Sequence, residues 1–134
     1  MNLLDVVSHR EFVVKLFPQG LTEVLMVGQV RFDPLGNTTV ALHTRQQPAL
    51  EMKKWGKWGE DYNTVVIILS SSRIKEFSVS NISGSLYSKV ELLEVEGGFR
   101  FSQQSDDWSF YMVFEDIGFD SCEVYIDGAD DIYN

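Results

Sequence analysis

The chain is poor in the residues that most often carry out catalysis or bind metals. It has one cysteine, Cys122, and two histidines, His9 and His43, among 134 residues. A zinc site needs several cysteine or histidine ligands at short spacing, and these three residues are far apart in the sequence. The sequence also lacks a nucleophile elbow and a phosphate-binding loop. It therefore predicts no catalytic residue, no metal site and no cofactor.

The sequence also predicts no internal disulfide, no export signal and no membrane span. Because Cys122 is the only cysteine, it cannot form an internal disulfide, and its alternating segment predicts an inward-facing thiol. The longest aliphatic run, residues 65–69, is far shorter than the ~20 residues of a membrane helix. At the N-terminus, Asp5 interrupts the apolar residues and no basic segment precedes them, unlike a signal peptide. We expect a cytoplasmic protein without a membrane partner.

Basic residues are nearly missing from the last third of the chain. Residues 1–90 have a net charge of +2, whereas residues 91–134 hold one basic residue, Arg100, and twelve acids. Such a segment repels nucleic acids and anionic membranes and attracts a basic protein. The charge distribution therefore favours a protein partner over nucleic acid.

The carboxylates of this segment form no recognisable acid–base couple. Three pairs are adjacent in the sequence, at 106–107, 115–116 and 130–131. Neighbouring side chains on a strand point to opposite faces, so adjacency does not bring two carboxylates together. Residues 127–131 resemble a calcium loop in composition but lack its twelve-residue ligand order. The sequence favours a solvated acidic rim and leaves an enzyme built from scattered carboxylates as the lesser alternative.

What the chain does contain is a short helical signal followed by period-two alternation. Ser8 and Glu11 stand at capping-box spacing, which predicts a helix over about residues 9–17. The β-prone triplet at 12–14 leaves a strand as the alternative. From residue 21 onward, apolar and polar residues alternate as they do in half-buried strands.

This alternation predicts about eight strands, joined mostly in sequence order. They are expected over residues 22–32, 38–44, 64–69, 73–80, 86–95, 107–115 and 120–127, with one more beginning at Phe99 after a Gly97-Gly98 turn. Bulges are expected at Gly28 and between Ile74 and Phe77, and the apolar segment 64–69 is expected to be a central strand covered on both faces. The predicted fold class is α+β and mainly β: a curved antiparallel meander in one domain, closing as a half-barrel or a two-layer sandwich.

Residues 52–59, MKKWGKWG, combine three lysines and two tryptophans in an acidic chain. Basic residues between aromatics are typical of stacking on bases or sugars, but a nucleic-acid-binding domain is normally basic overall. The favoured interpretation is that Trp55 and Trp58 cap an open end of the core while the lysines stay in water. Contact with a protein is another interpretation. A small-ligand or carbohydrate-binding module that uses Trp55, Trp58 or Trp108 is the alternative function.

Motifs in the first half of the chain resemble those of a known class of proteins. Pro48, Trp55, the pair Tyr62-Asn63 and the apolar run 65–69 are similar to the proline–tryptophan loop and following strands of small immunity proteins. These belong to bacterial polymorphic-toxin and contact-dependent inhibition systems. The resemblance implies a cytoplasmic, non-enzymatic protein that binds a cognate toxin domain stoichiometrically and either blocks its active site or locks it in one catalytic conformation. Toxin domains of this kind are often nucleases with basic grooves.

The acidic C-terminal segment is the predicted partner-binding surface, because carboxylates can imitate a phosphate backbone in a basic groove. Aromatic side chains often anchor interfaces, so two tyrosines are included with the acids. The predicted contact residues are Asp106, Asp107, Asp116, Asp120, Asp127, Asp130, Asp131, Tyr125 and Tyr133.

Overall fold

The computed structural model describes residues 1–128, which form nine strands, one α-helix and three short 3-10 helices. The strands are β1 Val7–Ser8, β2 Leu25–Phe32, β3 Thr38–Thr44, β4 Thr64–Ser71, β5 Ile74–Ser80, β6 Val90–Val95, β7 Gly98–Gln104, β8 Ser109–Phe114 and β9 Ile117–Tyr125. The helix α1 spans Glu11–Leu16, and the 3-10 helices span Leu3–Asp5, Lys53–Trp55 and Ile82–Gly84. The prediction of a mainly β fold with one short N-terminal helix is confirmed.

The strands form two sheets that share one core. One sheet has five strands in the order β1-β9-β4-β3-β2, and the other has four in the order β5-β8-β7-β6. Inward side chains of both sheets belong to a single buried cluster, with Leu42 and Ile67 from one sheet and Phe101 and Met112 from the other. In the described part of the chain the sheets do not close into a barrel. Of the two predicted closures, the two-layer arrangement is the observed one.

Several turns and bulges lie where glycine and alternation predict them. β2 and β3, consecutive strands of the predicted meander, form a hairpin, with a register shift that makes Gly28 the bulge. A second shift, between Ile74 and Glu76, bends β5 against β8. The turn from β6 to β7 contains Gly97 at a φ of 80°, which glycine adopts without strain. The β2–β3 and β6–β7 pairings are local, so short-range signals suffice to locate their turns.

The helix starts later than predicted because Ser8 lies in a strand and does not cap the helix. Ser8 belongs to β1, which pairs with β9 in parallel, and its hydroxyl donates to the carbonyl of Ile117 at 3.3 Å. Arg10 precedes the helix instead, and its side chain makes no capping hydrogen bond there. The observed capping box joins Asn2 and Asp5 around the first 3-10 helix. The parallel β1–β9 pair also means that the sheet is not purely antiparallel.

Two predicted strands differ from the observed ones. The strand predicted over residues 86–95 begins only at Val90, because Ser88 pairs instead with Leu25 at the edge of β2. β4 is the central strand of its sheet, as its apolar sequence predicts. Its outward face, however, is not covered by a second layer of described residues, and half-buried Ile68 lines a groove there.

The tryptophans of residues 52–59 pack against the core. Tyr62 is buried, and the rings of Trp55 and Trp58 meet it edge-on at centroid distances of 5.9 and 5.4 Å. Phe12 of α1 packs against Trp55 at 6.3 Å, which ties the helix to this aromatic cluster. The three lysines of the segment are exposed. This placement supports the interpretation of the segment as a cap.

Two further residues singled out in the sequence face inward. Trp108 is buried, and its indole N–H donates to the Gln103 side chain at 3.1 Å. Cys122 packs against the core, and burial raises the pKa of its thiol to about 12 although the Lys54 ammonium opposes the shift. Trp108 therefore offers no exposed ring to a ligand, and Cys122 takes the inward position that its segment predicts.

Candidate partner-binding surface

The outward face of the five-stranded sheet forms a shallow groove of about 560 Å³. Its floor comes from Thr39, Ala41 and His43 of β3 and from Val66 and Ile68 of β4. These residues alternate with core residues, so the period-two pattern that fills the core also builds the floor. Ala41 and Val66 are each only 7% exposed. The floor between the neighbouring strands is therefore flat and closely packed.

Strand β9 forms an acidic wall along this groove. Its register against β4 shifts next to Ile68, which makes Asp120 the extra residue of a bulge. A bulge changes the direction in which the side chain of the extra residue points. Asp120 and the following Ser121 therefore both line the groove, although consecutive side chains of a regular strand point to opposite faces. Glu123 lines the same face two residues later. Along the strand, the Asp120 and Glu123 backbones are therefore separated by about 10 Å or less.

Strand β2 forms the opposite wall. Gln29 and Arg31 project from it into the groove. Neighbouring strands lie about 4.8 Å apart, so the three intervals from β2 to β9 place the two walls about 14 Å apart at the backbone. Among the described residues, Asp120, Glu123 and Arg31 form no ion pair. The groove thus presents charges that the described side chains leave uncompensated.

A hydrogen bond crosses the floor between β3 and β9. Nδ1 of His43 lies 2.8 Å from the Tyr125 hydroxyl, and the two rings meet edge-on with centroids 5.6 Å apart. Since β4 lies between these strands, the pair bridges over it. Gly28 makes room for the imidazole, because a Cβ at this position would overlap His43 Nε2. The glycine at the β2 bulge is therefore required by the position of His43.

Burial lowers the pKa of His43 below its ordinary value, although the carboxylate of Asp127 partly opposes the shift. The imidazole is therefore held neutral at neutral pH. A neutral imidazole has one acceptor nitrogen, so Nδ1 can accept the hydroxyl proton of Tyr125.

The end of β9 is fixed by a polar cluster beside this hydrogen bond. The Arg45 guanidinium donates to Asp127 at 2.6 Å and lies 4.6 Å from the ring centroid of Tyr87. The Asn63 side chain donates to the Asp127 carbonyl at 3.0 Å and accepts from its backbone N–H at 2.8 Å. Burial raises the pKa of Tyr87 to about 12. Asp127 therefore has a structural role, with its charge offset by Arg45.

The predicted contact residues do not form one surface. Asp106 and Asp107 lie in the turn before β8, and Asp116 lies in the turn after it. The six residues of β8 separate these turns by about 20 Å. Asp116 also lies 4.0 Å from Arg73, measured from Oδ2 to Nε. The acids of the two turns are therefore at opposite ends of the four-stranded sheet.

Of the other predicted residues, Asp120 and Tyr125 line the groove and Asp127 lies next to it. The remaining three, Asp130, Asp131 and Tyr133, lie outside the described residues. The structure thus brings together three of the nine, and only Asp120 among them is an acid without a described ion pair.

Sequence reasoning missed Glu123, Arg31 and His43. Glu123 has the same parity as Tyr125, so alternation within 120–127 was a sufficient signal to place both on one face. Arg31 and His43 join them only through the pairing of β2, β3, β4 and β9. That pairing is long-range, and no local pattern encodes it.

The groove offers two carboxylates and the half-buried apolar side chain of Ile68, which together can bind a cationic side chain and its aliphatic stem. Within residues 1–128, no three histidine, cysteine or carboxylate side chains are placed to hold a metal ion. No helix in this range is long and apolar enough to cross a bilayer. No protein-family model, curated protein or solved structure matches the chain.

Proposed function

We propose that the protein is a non-catalytic binding domain that neutralises a cognate bacterial toxin domain by forming a stoichiometric complex in the cytoplasm. The observation that supports this most is the groove on the five-stranded sheet, where Asp120 and Glu123 have no ion pair among the described residues. A flat, closely packed floor next to free carboxylates provides both contact area and charge attraction for a protein. The resemblance of the Pro48 to Leu69 region to immunity proteins points to the same function.

The overall charge favours a basic partner. The chain carries a formal net charge of −9, and its last third has a single basic residue. Long-range attraction speeds the encounter of oppositely charged proteins, and salt weakens it. In a nuclease toxin, an acidic partner would occupy the place of the nucleic-acid phosphates and exclude the substrate. The protein then acts by occupation alone and makes or breaks no covalent bond.

Co-expression tests this proposal. The gene of an immunity protein is expected to lie directly after that of a large secreted protein with a C-terminal toxin domain. Cells that express this domain together with the protein are expected to survive, and the two proteins to purify as a 1:1 complex by light scattering. A catalytically inactive toxin domain controls for the burden of expression. Equal killing with and without the protein would contradict the proposal.

A further inference from the structure

We infer that the groove on the five-stranded sheet binds one extended segment of its partner, which places a lysine or arginine side chain between Asp120 and Glu123. The inference deepens the proposed function and rests on it for the identity of the partner. The recognition itself depends only on the groove. Its ligand class is therefore a basic, extended peptide segment.

The spacing of the two carboxylates suits one shared cation. The bulge re-aims Asp120 so that it lines the same face as Glu123. Their backbones are about 10 Å or less apart, and the two side chains can converge on a group between them. Arginine fits best, because its planar fork of N–H donors can serve two carboxylates at once. Lysine is the second choice, as a point charge with three donors.

The floor suits the rest of the segment. A long cationic side chain keeps its charged end at the wall while its aliphatic stem lies on Val66 and Ile68. The walls are about 14 Å apart at the backbone, and their side chains narrow this space, which leaves room for a single extended chain. Arg31 on the opposite wall can donate to a backbone carbonyl or a carboxylate of the same segment. The groove therefore gives the segment one orientation across the sheet.

Other acidic positions are less suited to this role. Glu115 lies 3.4 Å from both Arg73 and Lys75, so its charge is already offset. Asp106 and Asp107 border a smaller hollow of about 290 Å³ lined mostly by polar side chains such as that of Asn81. Glu91 lines the groove on the four-stranded sheet together with two basic residues, Lys89 and Arg100. The groove on the five-stranded sheet instead brings two acids together with a single arginine.

A titration with short peptides tests the inference without any toxin domain. Acetylated hexalysine and hexaarginine are added at low salt to the full chain labelled with ¹⁵N, and acetylated hexaglutamate serves as the control. We expect both basic peptides to shift the amide signals of β3, β4 and 120–125, with hexaarginine the tighter, and hexaglutamate to leave them in place. Shifts concentrated at 105–108 or at 90–96, or no shift with either basic peptide, would overturn the inference.

Three double variants with the same change in charge locate the binding site. D120N/E123Q is expected to weaken hexaarginine binding about fivefold, as two exposed charge contacts are lost. D106N/D107N and E94Q/E96Q, which change exposed acids elsewhere on the described surface, are expected to change it less than about twofold. An equal loss in all three would show that net charge alone attracts the peptide, which contradicts the inference. The peptide result does not depend on toxin rescue, so failure of the inference and failure of the proposed function are distinguishable.

Discussion

The two outward faces of the molecule hold grooves of similar size but of opposite charge, because two basic residues and one acid line the groove on the four-stranded sheet, whereas one basic residue and two acids line the other. The groove on the five-stranded sheet measures about 560 Å³ and that on the four-stranded sheet about 630 Å³. On the four-stranded sheet, the Arg100 guanidinium lies 4.4 Å from the ring centroid of Tyr111, and interaction with the Glu76 carboxylate raises the pKa of this tyrosine. On the five-stranded sheet, Asp120 and Glu123 have no such partner among the described residues.

Groove size therefore does not distinguish a binding face from an ordinary one. A partner that contacts Arg100 or Glu76 must compete with interactions that these side chains already make within the sheet. A partner that contacts Asp120 or Glu123 displaces only water. The net gain in binding free energy from each contact is therefore expected to be larger on the five-stranded sheet.

Reversing the charges on each face should give the largest effect. D120K/E123K is expected to weaken toxin-domain binding at least about 100-fold, because two attractive contacts become repulsive. The matched variant E76K/E91K makes the same change in net charge on the four-stranded sheet and is expected to cost less than about threefold. Calorimetric titrations at low and high salt measure both. Equal losses would mean that total charge, and not one face, governs binding.

Filling the space at Gly28 should give a moderate effect. In Gly28→Ala the new methyl group displaces the His43 ring and breaks its hydrogen bond to Tyr125, at a cost of about 1 kcal/mol in unfolding free energy. Gly128→Ala is the control, because a Cβ there meets no atom within 4 Å. Urea denaturation measures both variants.

A double-mutant cycle identifies the cause of that loss. If Gly28→Ala acts through the hydrogen bond, it should cost clearly less in a Tyr125→Phe background, where the bond is already missing. Full additivity of the two changes would contradict this role of Gly28.

The pH dependence of stability should give the smallest effect. Because the folded state lowers the pKa of His43, the unfolded chain binds a proton more readily. Stability is therefore expected to fall as the pH drops below the ordinary value of 6.5, and to level off below the lowered pKa of the folded state. His43→Gln should remove this contribution, whereas His9→Gln should keep it. Urea midpoints between pH 7.5 and 5 measure the slopes, and identical slopes in both variants would contradict the assignment.

Local features of the fold were predictable, whereas the errors arise from long-range contacts. Gly28 and Gly97 mark a bulge and a turn because few other residues suit those places, so the β2–β3 and β6–β7 hairpins followed from sequence. The start of the helix was predicted wrongly, because capping-box spacing does not reveal that the Ser8 hydroxyl donates to the carbonyl of Ile117, more than a hundred residues away. The parallel β1–β9 pair is invisible to alternation for the same reason.

The site was predictable only in part. The acidic composition of the C-terminal segment predicted Asp120 as a contact residue, but it equally predicted Asp106 and Asp116, which lie at the two ends of β8. Composition does not reveal which carboxylates already have a cation beside them, as Asp127 has Arg45. That information comes from strand pairing across the whole chain.

The most direct test of the central claim compares an arginine placed on each floor. Thr39 of β3 and Ser102 of β7 are both partly exposed and line the two grooves. Binding of the cognate toxin domain is measured by calorimetry after circular dichroism has shown that both variants are folded. We expect Thr39→Arg to reduce affinity at least about 100-fold, because it fills the groove and adds positive charge, and Ser102→Arg to bind as the wild type does. Normal binding by Thr39→Arg, or loss of binding by Ser102→Arg alone, would contradict this claim.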